Sequence, residues 1–118
     1  MRKIEVIQNT ILAAQAIITN LNNGQKLDTS SLDKWTEALL KYVLNDNQWD
    51  YNPFPYERTL AQYIENLQFK ADDGGNNAQI IQILNNMIAG IEKAGNTLVA
   101  VGVDLDQEIQ YQPIFNRD

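Results

Sequence analysis

Acidic side chains near the carboxyl end of the sequence are the residues best suited to do chemistry. Asp104, Asp106 and Glu108 occupy alternate positions, and hard cations such as Mg²⁺ and Ca²⁺ bind several carboxylate oxygens together. If this segment is helical, only Asp104 and Glu108 share a face. An EF-hand loop starting at Asp104 would also need glycine at its sixth position, where this chain has Ile109. The pattern therefore favours a solvated acidic face over a metal site.

Two other acidic groups give weaker signals for a cation. Asp72 and Asp73 are followed by two glycines, an arrangement typical of a turn. Asp46 and Asp50 lie among amide side chains, but their spacing matches no known ligand pattern. We therefore predict that the protein uses no metal and no cofactor.

Two residue types that dominate enzyme chemistry are missing from the chain. It has no cysteine and no histidine, which excludes thiolate zinc sites, cysteine nucleophiles and a histidine general base. Neither a glycine-rich phosphate loop nor a G-x-S-x-G nucleophile motif occurs. The sequence therefore predicts a protein that is not an enzyme.

Charge and hydropathy narrow the class of partner. The net charge is −6 and the nine basic residues are scattered, whereas phosphate contacts need clustered lysine and arginine. An acidic surface suits a basic partner protein instead. Because the sequence shows neither the pattern of a signal peptide nor an apolar run of membrane-spanning length, we expect a cytoplasmic protein that binds no nucleic acid and no membrane.

The longest apolar pattern runs from Asn76 to Ile109. Its members recur in steps of three and four and so share one helical face: Ile80, Leu84, Met87, Ile91, Ala94, Leu98, Val101 and Leu105. Gly95 interrupts this run, and a helix that bends there explains why the spacing continues. We therefore expect a long, kinked carboxyl-terminal helix that forms the spine of the core. The alternative is a short β-hairpin over residues 97–111, where β-branched residues are followed by alternating apolar and acidic ones.

Three earlier segments have helical spacing as well. Residues 4–21 and 32–44 each carry an apolar stripe, and residues 56–67 carry a third. The apolar stripe of the first segment is wide enough to contact two neighbouring helices. Gly24 is placed to end this first helix. A chain of 118 residues is long enough for one domain with its own core. We therefore predict a single all-α domain over residues 1–118, a small antiparallel bundle of four to five helices.

The link between the second and third predicted helices has unusual content. Residues 45–55 contain two prolines, which exclude a helix through most of the link. The aromatic and acidic residues there are typical of protein interfaces, because Trp and Tyr bury a large area at small entropic cost. The predicted partner-binding surface is formed by Trp49, Asp50, Tyr51, Phe54 and Tyr56. The alternative is that these aromatic side chains close one end of the bundle.

The segment at the end of the long apolar pattern is Gly102-Val103-Asp104-Leu105-Asp106-Gln107-Glu108-Ile109, and it precedes Asn116-Arg117. In this respect it resembles the closing part of the MazG-like all-α nucleotide pyrophosphohydrolases. The resemblance implies magnesium held by an E-x-x-E pair on one helix and an E-x-x-D pair on the next. The long helix of this chain carries Asn85, Asn86 and Glu92 in place of such pairs. A pyrophosphohydrolase of this kind, or an inactive relative, is the alternative function.

The leading hypothesis is a small acidic module that binds another protein. Small inhibitors and immunity-type proteins of bacteria and phages belong to this class, and the charge, the missing catalytic side chains and the aromatic link all favour it. The regular stripes on the first and last helices leave one further alternative, a helix–helix seam between two copies of the chain. That seam would make the protein a homodimer or a larger oligomer.

Overall fold

A computed structural model describes residues 1–43 and 77–109 of the chain. Three α-helices follow one another in this part of the sequence: α1 (Lys3–Asn22), α2 (Ser30–Ala38) and α3 (Asn77–Ala100). A π-helical turn, Leu39–Val43, continues directly from α2. The described residues contain no strand beyond an isolated antiparallel bridge between Arg2 and Glu108. The mainly helical class is confirmed, whereas the helix expected over residues 56–67 lies outside the described residues.

Helix α1 forms as its apolar spacing predicts, but its buried face is rotated slightly. Ile7, Ala14 and Leu21 are buried as expected, while the other isoleucines of the predicted stripe are only half-buried. The remaining buried residues are Val6, Thr10 and Ile17. The rotation follows from packing on two sides, since α1 contacts both α2 and α3. Helix α1 is therefore the central helix of the described fold, a position that the apolar pattern predicts for the last helix.

Helix α1 ends at the predicted glycine. Gly24 has a φ of 76°, a left-handed conformation that costs glycine little. The Gln25 N–H donates to the Asn20 carbonyl and the Gly24 N–H donates to the Leu21 carbonyl, which together make a Schellman motif. This closure directs the chain toward α2.

Helix α2 begins with polar residues that hydrogen-bond to one another. Thr29 is the N-cap residue, but its hydroxyl donates to the Asp33 carboxylate at 3.1 Å instead of capping a backbone N–H. The Asp28 carboxylate accepts from the Ser30 N–H at 3.0 Å and from the Ser30 hydroxyl at 2.7 Å. Asp28 thus satisfies an N–H group that the start of the helix leaves without a partner.

Helix α3 corrects both expectations for the end of the sequence. The helix passes through Gly95 and ends at Ala100, so the helix predicted to continue to Ile109 is wrong beyond Ala100. The hairpin over 97–111 is also wrong where it can be compared, because residues 97–100 are helical. The physical reason is a second Schellman motif. Gly102 has a φ of 94°, and the Val103 N–H donates to the Leu98 carbonyl at 2.9 Å.

The core of the described fold lies between the three helices. The stripe on α3 faces inward as predicted for its first five members, from Ile80 to Ala94. Leu98 is half-buried, and Val101 is 63% exposed. The continuing three-and-four spacing at Val101 and Leu105 is therefore coincidental, since these residues lie beyond the helix. Ile109 returns to the core as a buried side chain.

Candidate functional site

All five residues of the predicted partner-binding surface lie outside the described residues. Trp49, Asp50, Tyr51, Phe54 and Tyr56 belong to residues 44–76. The structure does describe the residues on either side of that segment. Val43 directly precedes it and Ile80 is the first buried residue after it, and both side chains belong to the same core cluster. The described chain is therefore packed into the core at Val43 and again from Ile80 onward.

Two of the acidic residues that follow α3, Asp106 and Glu108, contact the amino-terminal residues. The Arg2 guanidinium donates from Nη1 to Asp106 Oδ1 at 3.2 Å, and the Met1 amino group donates to Glu108 Oε2 at 2.6 Å. Asp104 Oδ1 accepts from the Asp106 N–H at 3.0 Å. These carboxylates thus serve as acceptors within the chain.

This geometry bears on whether the acidic residues 104–108 bind a metal ion. Because α3 ends at Ala100, Asp104 and Glu108 lie beyond the helix, and the helical condition for a shared face is not met. Within residues 1–43 and 77–109, no group of three or more acidic, histidine or cysteine side chains is arranged to hold a metal ion. The arrangement instead pairs negative side chains with the positive charges of the amino-terminal residues.

Residues 101–109, which we call the strap, also cap α1 through the backbone. The Lys3 N–H donates to the Gln107 carbonyl at 3.0 Å, and the Ile4 N–H donates to the Leu105 carbonyl at 2.8 Å. The first N–H groups of any helix lack partners within the helix, so the strap supplies acceptors that a capping side chain usually provides. A reverse bond runs from the Ile109 N–H to the Met1 carbonyl at 2.9 Å.

The Glu5 carboxylate completes the amino-terminal end of α1. Its Oε1 accepts from the Arg2 N–H at 2.9 Å and from the Arg2 side chain at 3.3 Å. The backbone hydrogen bond from Arg2 is the main reason that the pKa of Glu5 is lowered, and the side-chain bond acts in the same direction. The pKa of Asp28 is lowered for a similar reason, by hydrogen bonds from the Ser30 hydroxyl and N–H. Both carboxylates are therefore favoured in their charged form.

Two buried threonines mark the contact between α1 and α2. The Thr10 hydroxyl donates to the Val6 carbonyl at 2.7 Å and lies 3.3 Å from the Trp35 carbonyl oxygen. The Thr36 hydroxyl is equally buried, yet it has no hydrogen-bond partner in the described part of the chain. Sequence reasoning missed both residues because it followed apolar side chains. Their positions in the helices could have predicted that they are buried, since Thr10 is three residues after Ile7 and Thr36 is four residues after Leu32.

Surface hydrophobic residues are few in the described helices and the strap. Leu12, Val99 and Val101 are the large exposed ones found there. None of the described helices combines the length and hydropathy needed to cross a membrane.

Comparisons with known proteins return no relative for this fold. No protein-family model, no curated protein and no solved structure matches the chain. The class that the structure supports is a mainly helical protein.

Proposed function

We propose that the protein is a small acidic module that acts by binding another protein, in the manner of an inhibitor or immunity-type protein of bacteria or phages. The observation that carries this proposal is the composition of residues 45–57. Four aromatic residues fall within the eight positions 49–56, together with acidic residues and no lysine or arginine in the whole stretch. Aromatic side chains supply buried area at the centre of protein interfaces, so this stretch has the content of a contact surface.

The charge distribution favours a basic partner. Residues 44–76 contain six acidic and two basic residues, which places most of the net charge of −6 in the same part of the sequence as the aromatic residues. A negative surface steers a positively charged protein toward it and raises the association rate. The aromatic residues would then provide the short-range contacts that hold the complex.

The helical core supports this proposal as a scaffold. Val43 precedes the aromatic segment and Ile80 follows it, and both are buried in one cluster. Binding residues commonly lie on connections that a packed scaffold positions. On this proposal the three described helices contribute stability, and residues 44–76 contribute recognition.

The test is capture of a partner with matched variants. Immobilised wild-type chain is incubated with lysate of the organism that carries the sequence, and the captured protein is purified for calorimetry. The double variant Trp49→Ala, Tyr51→Ala should weaken binding by at least about tenfold. The control Leu12→Ala, Val99→Ala truncates two exposed apolar residues of the described helices and should leave affinity unchanged.

Two results would overturn the proposal. One is equal affinity of the wild type and the Trp49→Ala, Tyr51→Ala variant for the captured protein. The other is light scattering that shows a stable dimer for the wild type and a monomer for the Trp49→Ala, Tyr51→Ala variant, since the chain would then bind itself through this surface. If the partner is basic as proposed, affinity should also fall as salt concentration rises.

A further inference from the structure

We propose that the strap, residues 101–109, closes over the amino-terminal end of α1, and that its residues 104–109 open as a unit while the three helices stay folded. The inference does not depend on the proposed function. It follows from how the strap is attached, which differs from how the helices are attached to one another.

The strap is attached mainly by polar contacts at the surface. Its backbone makes three hydrogen bonds with residues 1–4, from 2.8 to 3.0 Å long. The Arg2–Asp106 ion pair joins two exposed side chains, and such pairs contribute little because water and salt screen them. These contacts position the strap without burying much of it.

The apolar attachment is small and lies mainly at one end. Ile109 is the buried side chain of the strap, and Val103 and Leu105 are half-buried, whereas the other six residues are exposed. By contrast, α1 and α3 pack through a row of fully buried residues. Segments with few buried apolar contacts and exposed hydrogen bonds open at lower free energy than the core.

The hinge for this motion is at Gly102. The Schellman motif there ends α3 independently of the strap's contacts with α1, because its two hydrogen bonds join Gly102 and Val103 to Val99 and Leu98. The strap can therefore detach from α1 without unwinding α3. Opening would leave the Lys3 and Ile4 N–H groups without acceptors and would release the carboxylates of Asp106 and Glu108.

Native-state hydrogen exchange tests the proposal on the full chain. The reporters are the amides of Lys3, Ile4 and Ile109, with the Leu84 and Ile88 amides of α3 as the core reference. The three strap reporters should exchange faster than the core and with a common opening equilibrium. Equal protection of strap and core would overturn the proposal, as would three unrelated opening equilibria.

Matched variants separate strap opening from loss of stability. Ile109→Ala should accelerate the three strap reporters by at least about tenfold. Ile80→Val shortens a buried residue near the other end of α3 and should accelerate the Leu84 and Ile88 amides by at least about twofold. Because Ile80 stays buried when the strap opens, Ile80→Val should leave the three strap reporters unchanged. Val101→Ala truncates an exposed residue of the same segment and should change them less than about twofold. If Ile80→Val accelerated strap and core reporters by the same factor, the two would unfold together, and the proposal would be refuted.

A milder variant keeps the test decisive if Ile109→Ala does not fold. Asp106→Asn removes the charge that faces Arg2 and should accelerate the strap reporters by up to about fivefold, with a smaller effect in high salt. Glu92→Gln removes a charge from the exposed face of α3 and should leave them unchanged. Equal effects of Asp106→Asn and Glu92→Gln would count against the strap.

Discussion

The hydroxyl of Thr10 in α1 lies 3.3 Å from the carbonyl oxygen of Trp35 in α2, while it donates a shorter hydrogen bond of 2.7 Å to Val6 in its own helix. Thr10 has no exposed surface, so this polar contact lies inside the helix interface. It links the central helix to α2. Thr36, one residue after Trp35, is 1% exposed and has no such contact within the described residues.

We predict that these two threonines respond oppositely to replacement by valine. Thr10→Val keeps the shape of the side chain and removes its hydrogen bonding, so the free energy of unfolding should fall by about 1 kcal/mol. Thr36→Val removes a buried hydroxyl that has no partner among the described residues and should be neutral or stabilising by about 1 kcal/mol. Urea denaturation of the two variants provides the measurement. Equal destabilisation would mean that the Thr36 hydroxyl has a partner.

The Leu84 side chain tests which face of α3 is inward. It is 0% exposed, and Leu84→Asp would place an unpaired charge in the core at a cost of about 4 kcal/mol or more. We expect loss of the helical circular dichroism signal at neutral pH. Asn85→Asp adds the same charge at the adjacent exposed position and should leave the protein folded. A soluble Leu84→Asp protein with normal melting would contradict the described core.

Two glycines of α3 and the strap should respond to alanine with opposite signs. Gly102 has a φ of 94°, so Gly102→Ala should destabilise the protein by about 1 kcal/mol. Gly95 lies inside the helix, and a Cβ there would meet Ile7 Cδ1 at 3.7 Å, an ordinary contact. Gly95→Ala should therefore stabilise the protein by up to about 1 kcal/mol. Thermal melting that moves in the same direction for both variants would be inconsistent with the helix end at Ala100.

Stability should depend on the titration of Glu5. Hydrogen bonds from Arg2 lower the pKa of Glu5 in the folded state below its ordinary value of 4.5. A carboxylate with a lowered pKa stabilises the fold fully above its unfolded pKa, and this contribution is lost as the pH falls through the folded pKa. The wild type should therefore lose its advantage over Glu5→Gln as the pH drops below 4.5. NMR titration of the Glu5 carboxyl carbon checks the premise, and a midpoint at or above 4.5 would refute it.

Local patterns in the sequence account for much of the described fold. The apolar spacing of α1 and of the first part of α3 predicts buried faces because a helix repeats every 3.6 residues wherever it lies. Gly24 predicts the end of α1 for an equally local reason, since glycine adopts the left-handed conformation of the Schellman motif. Gly102 carries the same signal for the end of α3. The predicted helix is too long because the apolar spacing continues past this glycine to Leu105.

Contacts between distant residues could not be predicted in this way. Arg2 and Asp106 are both exposed charged residues in the sequence pattern, and only the fold brings them to 3.2 Å. The carboxylates of Asp106 and Glu108, which suggested a cation site, are acceptors for the amino-terminal residues for the same reason. The predicted contact surface around Trp49 and Tyr51 stays a prediction, since it lies outside the described residues.

The sequence by itself determined that the chain is acidic, that it has neither cysteine nor histidine, and that its apolar residues repeat with helical spacing. These properties depend only on residue types and short separations. The tertiary structure decided that α1 is the central helix and that residues 101–109 cap its beginning. The first feature depends on which helix faces meet. The second depends on which carbonyl groups reach unpaired N–H groups about a hundred positions away. No local pattern in the sequence encodes either contact.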